Sequence, residues 1–347
     1  MSVPDGRPPR AVIFGCAGLT LSEEERAFFR ESDPFGFILF ARNCADPEQL
    51  KALVADLRAS VQRREAPVLI DQEGGRVARL QAPHWRHPPA QGVFAEMAEI
   101  SIDRARRAAW LNARLIGREL AAAGITVDCL PVLDLPQAGA HGIIGDRALG
   151  RDPATIAALG KAICDGLLAE SVLPVIKHIP GHGRAGVDSH RELPVVDASL
   201  ETLRETDFEP FRLLAAQPWA MTAHVVFSAI DPDRPATVSA EAIGSVIRRE
   251  IGFNGLLLSD DIGMEALSGD FAQRASASLS AGCDIVLHCS GKLDEMRLAA
   301  EGAGPMTPDA EARSQFAEAL RLGEGAMEKP DFGEMLSELD ELTGGYG

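Results

Sequence analysis

Eight short apolar runs, most of them separated by segments of helical spacing, limit the folds open to this chain. They lie at 11–15 (AVIFG), 36–41 (GFILFA), 67–70 (PVLI), 125–132, 172–176 (VLPVI), 219–226, 255–258 (GLLL) and 284–288 (DIVLH). Runs this short and this continuously apolar suit parallel strands buried on both faces, with the intervening helices as covers. Helices are expected over 22–30, capped by Thr20, and over 46–62, 101–123, 153–170, 200–216, 239–251 and 265–281. Residues 82–100, with Pro83, Trp85, Pro88 and Pro89, read as a loop. Eight β–α units predict an α/β chain closed into a (β/α)8 barrel. The competing doubly wound sheet lacks its usual mark, because no GxGxxG follows the first run. No linker divides the 347 residues, so one domain is expected over 1–347. Two acidic helical segments, 308–324 and 330–343, form a C-terminal stretch (305–347) packed on the outside of the barrel.

Composition narrows the partners. The net charge of -17, with no run of Lys and Arg, argues against nucleic acid. No stretch approaches the roughly 20 apolar residues that span a bilayer, and the first 15 residues lack the core of a signal peptide. Six cysteines occur without CxxC spacing, and Cys16, Cys129, Cys164 and Cys283 sit in apolar surroundings as free thiols would. A cytoplasmic protein is expected, with no cofactor, no metal and no obligate protein partner.

The ionisable groups gather where such barrels carry out chemistry. The third run ends on Asp71, the fourth near Asp134, the fifth on Lys177 and His178, the sixth carries His224, and the seventh leads to Asp260. In a parallel barrel these ends share one face. The fifth run then opens into KHIPGHGRAGVDSH, a glycine-rich stretch suited to a mobile loop. Within it Asp188 and His190 are two residues apart, so the carboxylate can orient the imidazole as a proton donor and acceptor. Asp260, held on a strand end near cations, suits attack on a carbon centre or stabilisation of an oxocarbenium ion. Of the adjacent pair, Asp261 is the better candidate to cap the following helix. Asp71, Arg79, Asp134, Arg147, Lys177 and His178 offer charge-assisted hydrogen bonds to a polyol such as a sugar.

Taken together, the stretches GFILFARN (36–43), DQEGGRVARL (71–80), PVLDL (131–135), GDRALG (145–150), KHIPGHGRAGVDSH (177–190) and LLLSDDIGMEAL (256–267) resemble the family 3 glycoside hydrolases. Within that family they resemble the single-domain bacterial β-N-acetylglucosaminidases of peptidoglycan recycling. The resemblance implies a retaining exo-β-N-acetylglucosaminidase acting on a small carbohydrate, the N-acetylglucosamine-containing muropeptides. It implies Asp260 as nucleophile, His190 as general acid/base and Asp188 as its orienting partner. Asp71, Arg79, Arg147, Lys177 and His178 would hold the sugar ring, with Asp134 close to them. One departure is Ala148-Leu149, where the family shows a small residue and then Phe. A histidine in place of the usual second carboxylate also repels an incoming anion less, so phosphate is a conceivable acceptor in place of water. Two other readings stand beside this one. One is a metal-dependent barrel hydrolase drawing on His178, His182, His190, His224 and Asp260. The other is a sugar-binding barrel without turnover.

Overall fold

The structure, a computed structural model, describes residues 7–137, 142, 144–187, 193–324 and 330–345. Eight parallel strands close on themselves as the alternation predicts. They are β1 (Arg10–Gly15), β2 (Pro34–Leu39), β3 (Val68–Ile70), β4 (Val127–Asp128), β5 (Leu173–Ile179), β6 (Trp219–Thr222), β7 (Leu256–Asp261) and β8 (Ile285–His288), and β8 pairs back onto β1. Each strand sends alternate side chains to opposite faces. Ile13, Ile38, Leu69, Val175, Met221, Leu258 and Leu287 fill the barrel interior. Their neighbours Val12, Phe37, Val68, Ile176, Ala220, Leu257 and Val286 pack outward against the helices. Apolar residues are therefore needed at every position, which is why the strands read as continuous runs.

The expected boundaries shift for local reasons. β4 is short because Pro131 lacks an N–H; pairing with β5 resumes irregularly, with the Leu133 N–H donating to the Lys177 carbonyl at 2.7 Å. The first helix, Glu23–Ser32, is capped by Ser22 and not by Thr20. The Ser22 hydroxyl accepts from the Glu25 N–H at 3.1 Å, and the Glu25 carboxylate accepts from the Ser22 N–H at 2.9 Å. Part of the expected loop 82–100 is a helix, Gln91–Ile100, which begins once Pro88 and Pro89 are passed and buries Phe94. The helix expected over 200–216 breaks into Leu200–Glu205 and Glu209–Leu213, because Pro210 fits a first turn and not an interior one. The segment 239–251 winds as a π-helix over Ala242–Glu250. The helix between β7 and β8 starts at Phe271 and not at 265, capped by Asp270 in a reciprocal pair with Gln273. Outside the barrel, 195–196 and 226–227 form a small parallel ladder.

The C-terminal segments are helices Pro308–Glu324 and Phe332–Thr343. The first lies at the N-terminal end of the barrel, where Ala310 and Ala317 are buried and Arg313 pairs with Asp284 at 2.6 Å. The second buries Met335 and Leu339 beside helix Ile102–Ala122, with Arg107 pairing to Glu338 at 2.6 Å. The thiols of Cys16, Cys129, Cys164 and Cys283 are free and buried, as their surroundings predict.

Glu170, 1 % exposed, joins two helices of this shell. Its Oε1 accepts from Arg114 Nε at 2.7 Å and from Arg118 Nη2 at 2.8 Å. Glu170→Gln keeps the shape and removes the charge, leaving a buried guanidinium uncompensated. It is expected to lower stability by about 3–5 kcal/mol, read as a fall in the urea midpoint; an unchanged midpoint would mean that the pair contributes nothing net.

Candidate active site

Lys177 and His178 lie inside β5, near its C-terminal end, so the strand itself sets their direction. The ammonium of Lys177 is almost fully buried and sits between two carboxylates, 2.9 Å from Asp71 Oδ1 and 2.6 Å from Glu73 Oε1. Arg79 reaches the other Asp71 oxygen at 3.2 Å. Arg147 grips Glu73 through two bonds of 2.8 Å. Burial pushes the Asp71 and Glu73 carboxyls up, but the adjoining cations outweigh it and hold both below the usual carboxylate range. The same carboxylates hold the Lys177 ammonium above its usual range despite its burial. Asp71, Glu73 and Lys177 are therefore all charged at neutral pH.

Sequence reading missed Glu73, which carries half of this lattice. The signal was present: Glu73 follows Asp71 by two residues in DQEGG, the spacing that returns an extended chain to the same face. Gln72 holds the turn that presents both. Its Oε1 accepts from the N–H groups of Arg79 and Leu80 at 2.7 and 3.0 Å, and its own N–H donates to Asp128 at 2.9 Å. Phe40, also unforeseen, lies under two guanidinium groups, Arg42 at 4.8 Å and Arg79 at 5.4 Å.

Asp134 stands behind this wall. It is fully buried; its Oδ2 meets His178 Nδ1 at 2.7 Å, and its Oδ1 accepts from the N–H groups of His178 and His182 at 3.2 and 2.7 Å. The structure thus places Asp134 as the support of His178 and of the loop start, away from the cavity wall. Burial pushes its carboxyl up, but His178 and the hydrogen bonds win and bring it to about 2.

One cavity collects the rest. It is lined by Phe40, Asp71, Glu73, Arg76, Arg79, Arg147, Lys177, His178, His182, Met221, Asp260, Asp261, Met264 and Cys289, among others. Asp71, Arg79, Arg147, Lys177, His178 and Asp260, six residues picked out from sequence, thus share one wall system. A second, largely apolar cavity lies at the opposite end of the barrel under Phe35, Trp219 and Met306, away from this lattice. Asp260 Oδ1 accepts from the Asp261 N–H at 2.8 Å. Burial raises the Asp260 carboxyl, but His178, His224 and Lys177 more than offset this and leave it below the usual range, an anion at neutral pH. Asp261 does not cap a helix. Its Oδ1 accepts from the N–H groups of Gly263 and Cys289 at 2.8 and 3.2 Å, closing a turn, and the next helix begins ten residues later at Phe271.

Asp188 and His190 lie outside the described residues. The stretch leading to them is tightly seated. A Cβ on Gly183 would lie 1.9 Å from the Leu135 carbonyl oxygen, and Arg184 pairs with Asp207 at 2.7 Å. Gly183 therefore serves a close backbone approach here, where glycine had suggested conformational freedom. Among the described residues no three His, Cys, Asp or Glu side chains are grouped as a metal would require. His224 has both ring nitrogens engaged, by Thr237 and by the Asp261 carbonyl.

His182 gives the site a pH signature. Burial first, and His178 next, hold its imidazole down to about 4 against the pull of Asp134 and Asp260; its ordinary value is 6.5. Between these values the unfolded chain binds the proton and the folded chain does not. Stability therefore falls as the pH drops from about 6.5 to about 4. His182→Asn is expected to flatten that part of a series of urea midpoints against pH, and an undiminished slope in the variant would exclude His182 as its source.

Comparison with known proteins agrees with this geometry. Residues 13–306 match the profile of the glycosyl hydrolase family 3 N-terminal domain. The β-hexosaminidase of Alkalilimnicola ehrlichii is 40% identical over 283 residues, covering 80% of this chain and 80% of that one. The β-hexosaminidase of Chromobacterium violaceum is 36% identical over 346 residues, covering 98% and 92%. Among solved structures, NagZ from Neisseria gonorrhoeae in complex with N-trifluoroacetyl-D-glucosamine superimposes with a TM-score of 0.86 at 33% identity, covering 97% of this chain and 99% of that one. A family 3 β-N-acetylglucosaminidase from Paenibacillus gives a TM-score of 0.82 at 29% identity, covering 96% of this chain and 66% of that one. With its barrel, its strand-end charges and this match over most of its length, the chain belongs to glycosyl hydrolase family 3.

Proposed function

We propose that this glycoside hydrolase is a retaining exo-β-N-acetylglucosaminidase that removes terminal, non-reducing N-acetylglucosamine from β-1,4-linked peptidoglycan fragments. The observation that carries this reading is an anionic Asp260 sharing one cavity with the lattice of Asp71, Glu73, Arg79, Arg147 and Lys177. Such a lattice presents fixed donors and acceptors to several sugar hydroxyls at once. The sugar bound to the gonococcal relative and the β-hexosaminidase relatives support N-acetylglucosamine as the glycone. Asp71, Arg79, Arg147, Lys177 and His178 would hold the ring, with Asp134 fixing His178 from behind.

In this reading an Asp260 oxygen attacks the anomeric carbon as the glycosidic bond breaks, giving a glycosyl ester. His190, oriented by Asp188, donates a proton to the departing oxygen. The same histidine then takes a proton from water, which attacks the anomeric carbon and frees Asp260. His178, His224 and Lys177, which hold the Asp260 carboxyl down, keep it ready as the nucleophile. The lattice itself holds three cations against two carboxylates, and the anionic Asp260 on the same cavity offsets that excess. The reaction calls for no cofactor. We read 1–347 as one catalytic domain with the segment 305–347 packed upon it, working in the cytoplasm; no helix among the described residues is long and apolar enough to cross a membrane.

Hydrolysis of an aryl β-N-acetylglucosaminide tests the class. Wild type is expected to be active with and without EDTA, Asp260→Ala to lose turnover, and His190→Ala to fall by about 10²–10⁴-fold. Loss to EDTA would favour the metal-dependent reading, and N-acetylglucosamine 1-phosphate formed at millimolar phosphate would make phosphate the acceptor. Glu73→Gln removes one counter-charge from Lys177 and from Arg147 together. It is expected to lower kcat/KM by about 10- to 100-fold, the scale of a charged hydrogen bond; an unchanged kcat/KM would remove the lattice from ring binding.

A further inference from the structure

Ladder pairing between β6 and β7 runs only as far as Met221 opposite Leu258, two residues short of Asp260. Beyond that point a side chain joins the two strand ends. His224, fully buried, lies two residues past β6, with its Nε2 3.0 Å from the carbonyl oxygen of Asp261. A carbonyl only accepts, so Nε2 carries the hydrogen. On the other side of the ring Nδ1 is 2.7 Å from Thr237 Oγ1, which is 2.8 Å from Thr222 Oγ1. Nε2–H thus donates to the Asp261 carbonyl, and Nδ1 is fixed by the Thr237 hydroxyl, itself held between Thr222 Oγ1 and the Ala223 carbonyl at 3.2 Å. All three side chains are fully buried, where an unmet hydrogen bond is costly.

The residue held in this way is the one that holds Asp260. The Asp261 N–H donates to Asp260 Oδ1 at 2.8 Å, and the Asp261 carboxylate is tied to the N–H groups of Gly263 and Cys289. We infer that His224, oriented by Thr237 and Thr222, is a positioning residue for the Asp260 carboxylate, replacing the missing β6–β7 ladder bonds at the end of β7. It touches no substrate; it acts through the Asp261 peptide. The inference rests on Asp260 being the nucleophile. Its consequence is kinetic, since a displaced nucleophile slows attack while the lattice that binds the sugar stays intact.

The test uses the full-length enzyme and an aryl β-N-acetylglucosaminide. His224→Leu removes the donor and is expected to lower kcat by about 10- to 100-fold, the scale of a misplaced reacting group, with KM nearly unchanged. His224→Gln, whose amide NH2 can reach the same carbonyl, is expected to recover most of that loss. Thr237→Val, which keeps the volume and removes the hydroxyl, is expected to lower kcat in the same direction by less, and it serves if His224→Leu does not fold. Unchanged kcat in folded His224→Leu, or kcat and KM worsening together without rescue by Gln, would overturn the inference while Asp260→Ala still abolished turnover. Turnover retained by Asp260→Ala would overturn the nucleophile reading and this inference with it.

Discussion

The site depends on one buried ammonium. Lys177 is set inside β5, on a barrel strand with little freedom, and its charge is tolerable there only because Asp71 and Glu73 meet it. Those carboxylates come from the turn after β3 and in turn fix Arg79 and Arg147. Three segments far apart in sequence, 71–79, Arg147 and Lys177, are thereby joined through ions whose mutual contacts offset the cost of their burial. The lattice is rigid because removing any member strands the others. That rigidity suits recognition of a ring whose hydroxyls differ only in direction.

Beside the lattice, the chain arranges its histidines for different work. His178 is held from behind by Asp134, which also receives the N–H of His182, so one carboxylate sets both a side chain and the first turn of the following loop. His224 is spent on the backbone beyond Asp260. Asp260 receives the influence of both sides, a hydrogen bond from the peptide that follows it and the field of the cations. The Asp260 carboxylate is thus held by a backbone hydrogen bond, and its charge is favoured by that bond together with the neighbouring cations.

Much of this could be read from the residues. The eight strands follow from continuous apolar runs, since both faces of a barrel strand are buried. Asp71, Lys177, His178 and Asp260 could be placed on one face because parallel strands share a direction. Glu73 and Phe40 escaped notice because their roles arise from partners 74 and 39 residues away, Arg147 and Arg79. The helix Gln91–Ile100 was hidden by the two prolines before it, and the split at Asp207 by a run whose apolar spacing continues across the break.

The sequence by itself determined the barrel, the face that carries the chemistry and the residue types gathered there, because hydrophobic period and strand direction are local properties. Only the tertiary structure decided which charges meet. It put Asp134 behind His178 and out of the cavity wall, gave Asp261 to a turn and not to a helix cap, and set Gly183 hard against the Leu135 carbonyl. The physical reason is that a side chain's partner, and hence its charge and its role, is set by distances across the barrel, which no local pattern encodes.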